Sequence, residues 1–240
     1  FLLRTSVLRR LTGRLCDAVT GQEGGKDMLD ALERGNLFVV PLDDRREWYR
    51  YHHLFADVLR ARLLDEEPEA LAVLHGRASE WWEQAGERPE AISHAMAGGL
   101  VSRAADLVEL AIPEMSQGRR ESTLRRWIQE LPAEEVAARP VLSVGHAAMA
   151  LVHGELGEVD AHLSDAERWV DLMAGAPAQG SLPAGMVVAD HESLRSLPAA
   201  IAVFRAAQAW ILGDGTRASE HARRALDHSL AQGEVTTQDH

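Results

Sequence analysis

The chain has 240 residues, 46% of them hydrophobic and 26% charged, with one cysteine and a formal net charge of −12. That length supports a sizeable buried core, while the single Cys16 excludes an intrachain disulfide and fits a reducing compartment. Residues 1–66 balance 11 Lys and Arg against 11 Asp and Glu, so the whole excess falls on 67–240; a nucleic-acid platform needs a cationic face, and direct DNA binding by that second part is not expected.

Taken in chain order, Thr5 or Ser6 is expected to cap a helix with apolar positions Val7, Leu8, Leu11, Leu15 and Val19, ended by Gly21 to Gly25. A second helix carries Met28, Leu29 and Leu32 and stops at Gly35-Asn36. Leu37 to Val40 reads as a strand, Asp43-Asp44 as a turn, and Glu47 to Tyr51 as a second strand. Leu54, Phe55, Val58, Leu59 and Leu63 then make one stripe of a third helix. Three helices and a small hairpin outline a winged-helix domain over 1–66.

From Pro68 on, Met186 to Ala189 gives the sole strand signal, and the chain repeats itself. Gly86, Gly154 and Gly213 each stand at a turn between helical stretches. Five residues after each comes Ala91, Val159 or Ala218; eight after, His94, His162 or His221; nine after, Ala95, Leu163 or Ala222; twelve after, Gly98, Ala166 or Ala225. Seven before stand Ser79, Ala147 and Ala206. Small residues at those offsets let antiparallel helices approach closely and stack, the requirement of a tetratricopeptide-like α-solenoid. A further helix surrounds Leu124 to Leu131, closed by Pro132, and Gly175 to Gly185 is a longer loop. The fold class is therefore mainly α, a winged helix over 1–66 followed by helical repeats over 67–240.

No catalytic constellation emerges: no Ser-His-Asp, Cys-His or paired-carboxylate set is discernible, and an enzyme is not expected. Gly25-Lys26 invites a phosphate-loop reading, but Thr20 and Asp27 stand where the motif needs Gly and Ser or Thr, and a helix precedes it. His52-His53 is a poor metal pair, because adjacent residues on an extended segment face opposite ways. His94, His162 and His221 form a ladder along the repeats rather than a cluster. The spacing of His146 and His153, like that of His221 and His228, exceeds the i, i+4 spacing of zinc helices. No metal site is assigned. Trp81, Trp82, Trp127, Trp169 and Trp210 are expected in the core.

Phe1 to Leu8, Leu15 to Gly21, Leu32 to Asp43 and above all Trp48 to Leu63 resemble the segment after the ATPase module in MalT-like regulators, the large ATP-binding LuxR family within the STAND class. Arg126 to Pro132 and Ala209 to Asp214 resemble their helical sensor. The resemblance implies a transcriptional regulator in four parts: an ATPase, the winged helix, the tetratricopeptide-like sensor and a C-terminal helix-turn-helix that binds DNA. Only the middle two correspond to this chain, which opens on Phe1 and is read as a piece of a longer protein without a cofactor of its own. In the parent, ATP and ADP would set the switch. An inducer or regulatory protein would bind the repeats, and the open form would self-associate. Tyr51-His52-His53-Leu54 resembles the Met-His-Asp motif of this class, which makes His52 the residue that touches the β-phosphate of ADP; His53 stands where the motif has Asp.

Two other readings are open to test. A stand-alone tetratricopeptide adaptor would lack a phosphate loop upstream and a helix-turn-helix downstream. A His-rich metalloenzyme would carry stoichiometric zinc or iron, and none is expected. No apolar run nears the ~20 residues that cross a bilayer, and the opening residues lack a signal-peptide layout, so a cytoplasmic protein is expected.

Overall fold

The computed structural model describes residues 1–115, 121–175 and 182–238, with side chains described in fewer of them near those ends. It is mainly α with one two-stranded antiparallel sheet, as the hydrophobic periodicities predict. The chain divides into two compact units, Phe1–Ala104 and Ala105–His240.

In the first unit the single helix expected from Val7 to Val19 is two. α1 (Leu2–Thr5) ends early, and α2 (Gly13–Thr20) starts after Thr12, whose side chain accepts the Leu15 amide. Leu11 instead bridges Tyr49, exchanging both backbone hydrogen bonds at 2.8 and 2.9 Å. Threonine as N-cap is the local chemistry that wins, since it satisfies a donor the helix start leaves orphaned. α3 (Gly25–Arg34) crosses α2 at its N-terminus. There a Cβ on Gly25 would lie 2.7 Å from the Gly13 carbonyl oxygen and 2.7 Å from Asp17 Oδ1, the oxygen that accepts the Gly25 amide. Cys16 lies in this crossing, fully buried, its thiol pushed up to about 12 by burial and by Asp17.

β1 (Val39–Pro41) and β2 (Tyr49–Tyr51) pair in the register Val39 with Tyr51 and Pro41 with Tyr49. α4 (His53–Glu66) follows at once. The buried positions of α4 are Ala56, Leu59 and Leu63, whereas Leu54 and Val58 are each 63% exposed; the predicted stripe is rotated, and two of its five positions face outward. α5 (Ala70–Gln84) and α6 (Arg88–Ala97) then form a helix pair in the same unit. Small residues set their distance, with Ala78, Ser79, Ala91 and Ala95 all buried. Ser79 Oγ donates to the Ala91 carbonyl and takes a bond from Arg103, and Trp48 stacks on Trp82 at 5.6 Å.

α7 (Val101–Met115) begins in the first unit and runs on into the second, which continues with α8 (Glu121–Glu130), α9 (Ala133–Ala137), α10 (Pro140–Val152), α11 (Leu156–Ala174), α12 (His191–Ile211) and α13 (Gly215–Gln238). The three glycines singled out by the repeat all have left-handed backbones, with φ of +79, +74 and +79° at Gly86, Gly154 and Gly213. The same two bonds close each turn. One joins Glu87 N to Trp82 O, Glu155 N to Ala150 O and Asp214 N to Ala209 O; the other runs from each glycine amide to Glu83, Leu151 or Trp210. This is a Schellman stop, which a residue with a Cβ adopts only at a cost. Val144, Ala147, Val159, Leu163, Ala166, Leu197 and Ile201 form the core of α10 to α12.

Met186 to Ala189 is not a strand: Val187 donates to Ala138, and Ala189 and Asp190 both donate to Glu109 Oε1 at 2.9 Å. An extended run without a paired neighbour is held here by a buried carboxylate. The expected loop from Gly175 to Gly185 falls largely on 176–181, outside the described residues. Trp82, Trp127 and Trp169 are core residues as expected, but Trp210 is 75% exposed.

Arg139 is 1% exposed and gathers three acids, Asp106 at 2.5 Å, Glu135 at 3.0 Å and Glu109 at 3.6 Å. Burial pushes the Glu109 carboxyl up, against the two amides and Arg139, which pull it down. Removing one member of such a set leaves a buried charge uncompensated, at about 3–5 kcal/mol. Arg139→Met is therefore expected to lower unfolding free energy by that amount in urea titrations, with part recovered when Glu109→Gln is added.

Gly25→Ala should cost about 1–3 kcal/mol through overpacking against the Gly13 carbonyl, read in the same titration. His94 and His146 are both pushed down to about 4, chiefly by burial. Their folded values lie below the ordinary 6.5, so the unfolded chain binds the extra protons. Stability is full above pH 6.5 and falls toward pH 4, by on the order of 3 kcal/mol per imidazole. Urea midpoints measured across that window should show the loss, and His94→Gln should flatten it.

Candidate functional site

The residues from Leu37 to Val58 build an outward-facing surface on the first unit. Asp43 closes the hairpin turn by accepting the amides of Glu47 at 3.1 Å and Trp48 at 2.8 Å, which draws its carboxyl below the usual range, with the Glu47 amide the main cause. Alternation along β2 sends Tyr49 and Tyr51 into the core and Arg50 outward. Tyr51 shares a 2.6 Å hydrogen bond with Thr5, and Tyr49 donates to Asp30 at 2.7 Å. Both ends of β2 are thereby tied, Tyr51 to α1 and Tyr49 to α3.

The hairpin hands over to α4 at His52. Its amide donates to the Phe38 carbonyl at 2.7 Å, and its own carbonyl accepts from Ala56 at 3.0 Å. As N-cap, His52 uses no side-chain bond to hold the helix, so its imidazole is exposed and left to face outward. The expectation that His52 and His53 point to opposite sides fails. Their rings lie 4.5 Å apart, because the backbone turns from extended to helical between them and the two-residue alternation of a strand no longer applies.

Phe38 stands beside this pair with φ of +59°, a conformation rare for an aromatic residue. Its ring stacks on Phe55 at 4.9 Å, and Phe55 meets the edge of Tyr51 at 5.9 Å. Half or more of the surface of Leu37, Phe38, Leu54 and Val58 is open to solvent. A left-handed aromatic residue and exposed apolar side chains on one hairpin and the helix after it make this surface a candidate for contact. Only His52 was singled out from the sequence. Phe38, Leu54 and Val58 read there as strand and core, and only the rotation of α4 and the left-handed turn expose them.

Lys26 does not form a phosphate cradle. Its ammonium is engaged by Asp30 and by the Tyr49 hydroxyl, at 3.0 Å from the latter, and α3 begins at Gly25 without a preceding strand.

The second unit holds a cleft of about 630 Å³ lined by residues of α11, α12 and α13, among them Asp160, Glu167, Arg205, Gln208 and His221. Arg205 is its floor. It forks onto Glu167 at 2.7 and 2.8 Å and also donates to Asp160, Ser164 and Gln208. A guanidinium satisfied so fully is a fixed positioning element. The lining mixes polar side chains with Ala209 and Leu212, and its acids Asp160, Glu167 and Asp214 are paired with Arg205 and Arg217.

The histidines at the shared repeat offset do not stand alone. His94 meets His75 with Nδ1 to Nδ1 at 3.0 Å, and His162 stacks on His146 with centroids 4.0 Å apart. Among the described residues, His146, Glu158 and His162 have donor atoms within 4.8 Å of one another. His153 is the C-cap of α10, with its Nδ1 at 2.8 Å from the Met149 carbonyl. No helix of the described residues is long and apolar enough to cross a membrane.

Residues 1–71 match the family described as the MalT winged helix domain. The chain is 38% identical over 144 residues to serine/threonine-protein kinase PknK of Mycobacterium tuberculosis, which is 60% of this chain and 13% of the kinase. It is 35% identical over 167 residues to HTH-type transcriptional regulator MalT of Yersinia enterocolitica, 70% of this chain and 18% of the regulator, and equally to MalT of Yersinia pestis. The chain thus spans less than a fifth of the length of these relatives. Residues 1–71, with the hairpin and its tied helices, therefore match the MalT winged helix domain, and the similarity to MalT extends over 167 residues of the chain.

Proposed function

We propose that this chain is the coupling and sensing part of an ATP-dependent, MalT-like transcriptional regulator of the STAND class. Residues 1–66 serve as the winged helix that meets the ATPase domain, and 67–240 serve as a tetratricopeptide-like sensor. The carrying observation is the hairpin surface: an exposed imidazole at His52, unspent on its own helix, whose amide is bonded to the exposed Phe38, with Leu54 and Val58 exposed on the helix that follows. In the resting protein this apolar surface docks on the ATPase domain, and His52 donates a hydrogen bond to the β-phosphate of bound ADP.

The relatives support a coupling role. One is named a kinase and the other a transcriptional regulator, yet both share this segment. A segment common to two outputs is best understood as transmission between a sensor and an effector. An inducer or regulatory protein acts on the cleft around Arg205, and its unequal affinity for open and closed forms supplies the switching energy. DNA is then contacted by a separate C-terminal domain, after self-association of a cytoplasmic parent.

Loss of one hydrogen bond to a charged group is worth about 1.5–3 kcal/mol. His52→Ala in the full-length protein should therefore release ADP about tenfold faster or more and raise basal transcription. Stopped-flow release of a fluorescent ADP analogue measures the first effect and a reporter gene the second. An ADP off-rate equal to that of the parent sequence removes His52 from this role.

A further inference from the structure

We propose that His146, Glu158 and His162 form a binding site for a zinc-class divalent cation across the turn between α10 and α11. The juxtaposition is built by the repeat itself. Gly154 turns the chain so that α11 runs back along α10, which brings His146 of one helix against Glu158 and His162 of the next. Glu158 and His162 are i and i+4, the spacing by which one helix offers two ligands on one face. Two imidazoles and a carboxylate are a donor set that zinc accepts, with a fourth position left open.

The geometry suits an ion better than it suits the protein. His146 Nε2 faces Glu158 Oε2 at 3.9 Å, beyond hydrogen-bond reach. Nδ1 of His146 and Nδ1 of His162 are both buried without a hydrogen-bond partner, an arrangement that ordinarily costs stability; each ring gives an ion one nitrogen, so His146 binds through either this Nδ1 or the Nε2 that faces Glu158. Zinc–nitrogen bonds of about 2.0–2.1 Å set tetrahedral donors about 3.3 Å apart. The donors here lie within 4.8 Å. Rotation of the half-exposed Glu158 side chain and a small shift of one ring supply the difference.

The surrounding charge is compatible. Burial lowers the affinity of both rings for a proton, which keeps them neutral and able to donate a lone pair. Arg125, the nearest cation, is paired with Glu155. Asp165 also faces His162 and is bonded by Arg168. The uncompensated charge of the group is the Glu158 carboxylate.

The pair in the first unit provides an internal comparison. His75 and His94 lie 3.0 Å apart through Nδ1 and satisfy each other, so that pair needs no ion. His94 and His162 occupy the same offset from their glycines, yet their surroundings give them different chemistry.

The test uses the protein stripped with EDTA and titrated with Zn(II) by calorimetry and with Co(II) by visible absorption. One equivalent should bind, with a Co(II) band of tetrahedral intensity. Removing even an outer hydrogen-bond partner of a metal ligand typically costs 10–100-fold in affinity, so Glu158→Gln and His162→Gln should each weaken Co(II) binding more than tenfold. His94→Gln should leave it unchanged. Glu158 is exposed enough that its variant folds even if His162→Gln does not, and circular dichroism checks both. Absence of stoichiometric binding overturns the proposal, as does binding that survives Glu158→Gln, which would assign it to other surface histidines.

Discussion

A guanidinium with no access to water decides how the second unit is put together. Arg139 stands before α10 and must be matched by carboxylates, and the chain supplies them from α7 and α9 through Asp106, Glu109 and Glu135. Glu109 then uses its other oxygen to hold Ala189 and Asp190. The start of α12 is fixed through the same charge set that fixes the start of α10. Neighbouring polar atoms follow suit: Trp169 donates to Ala137 at 2.7 Å and Val187 to Ala138 at 3.0 Å. A short helix of five residues, α9, thereby becomes the anchor for three other segments. Such a cluster stabilises little against an apolar alternative, but it tolerates few alternative arrangements.

Unit one is ordered by different means. Glycines let α2 and α3 cross closely, tyrosine hydroxyls tie the hairpin to helices, and aromatic stacking covers the rest. The hairpin's outer edge is the part not covered. A left-handed Phe38 is costly to keep for stability alone, and the exposed His52 imidazole makes no capping bond to its own helix. Contact with another domain is the role proposed for this surface.

Histidine shows how one repeat position acquires different uses. At the same offset from a turn glycine, His94 is bonded to His75, His162 stacks on His146 beside Glu158, and His221 lines the Arg205 cleft. The backbone stop is shared in all three turns. What differs is the residue on the preceding helix, and it sets whether an imidazole is satisfied, left with unpartnered nitrogens or facing a cleft.

The sequence alone determined where most of the chain turns and most of its helical stretches. A glycine that closes a Schellman stop and an aspartate that closes a hairpin each act on neighbours a few residues away, so their effect can be read without knowing the fold; the cap at Thr12, which splits the first expected helix in two, was not read. The family of residues 1–71 was legible for the same reason, and His52 could be singled out. Tertiary structure alone decided which face each helix presents. It turned Leu54, Val58 and Trp210 to solvent, joined Leu11 to Tyr49, set His52 and His53 side by side and placed His146 against His162. Those outcomes depend on the rotation of a helix about its axis, which distant packing partners set and local spacing does not encode.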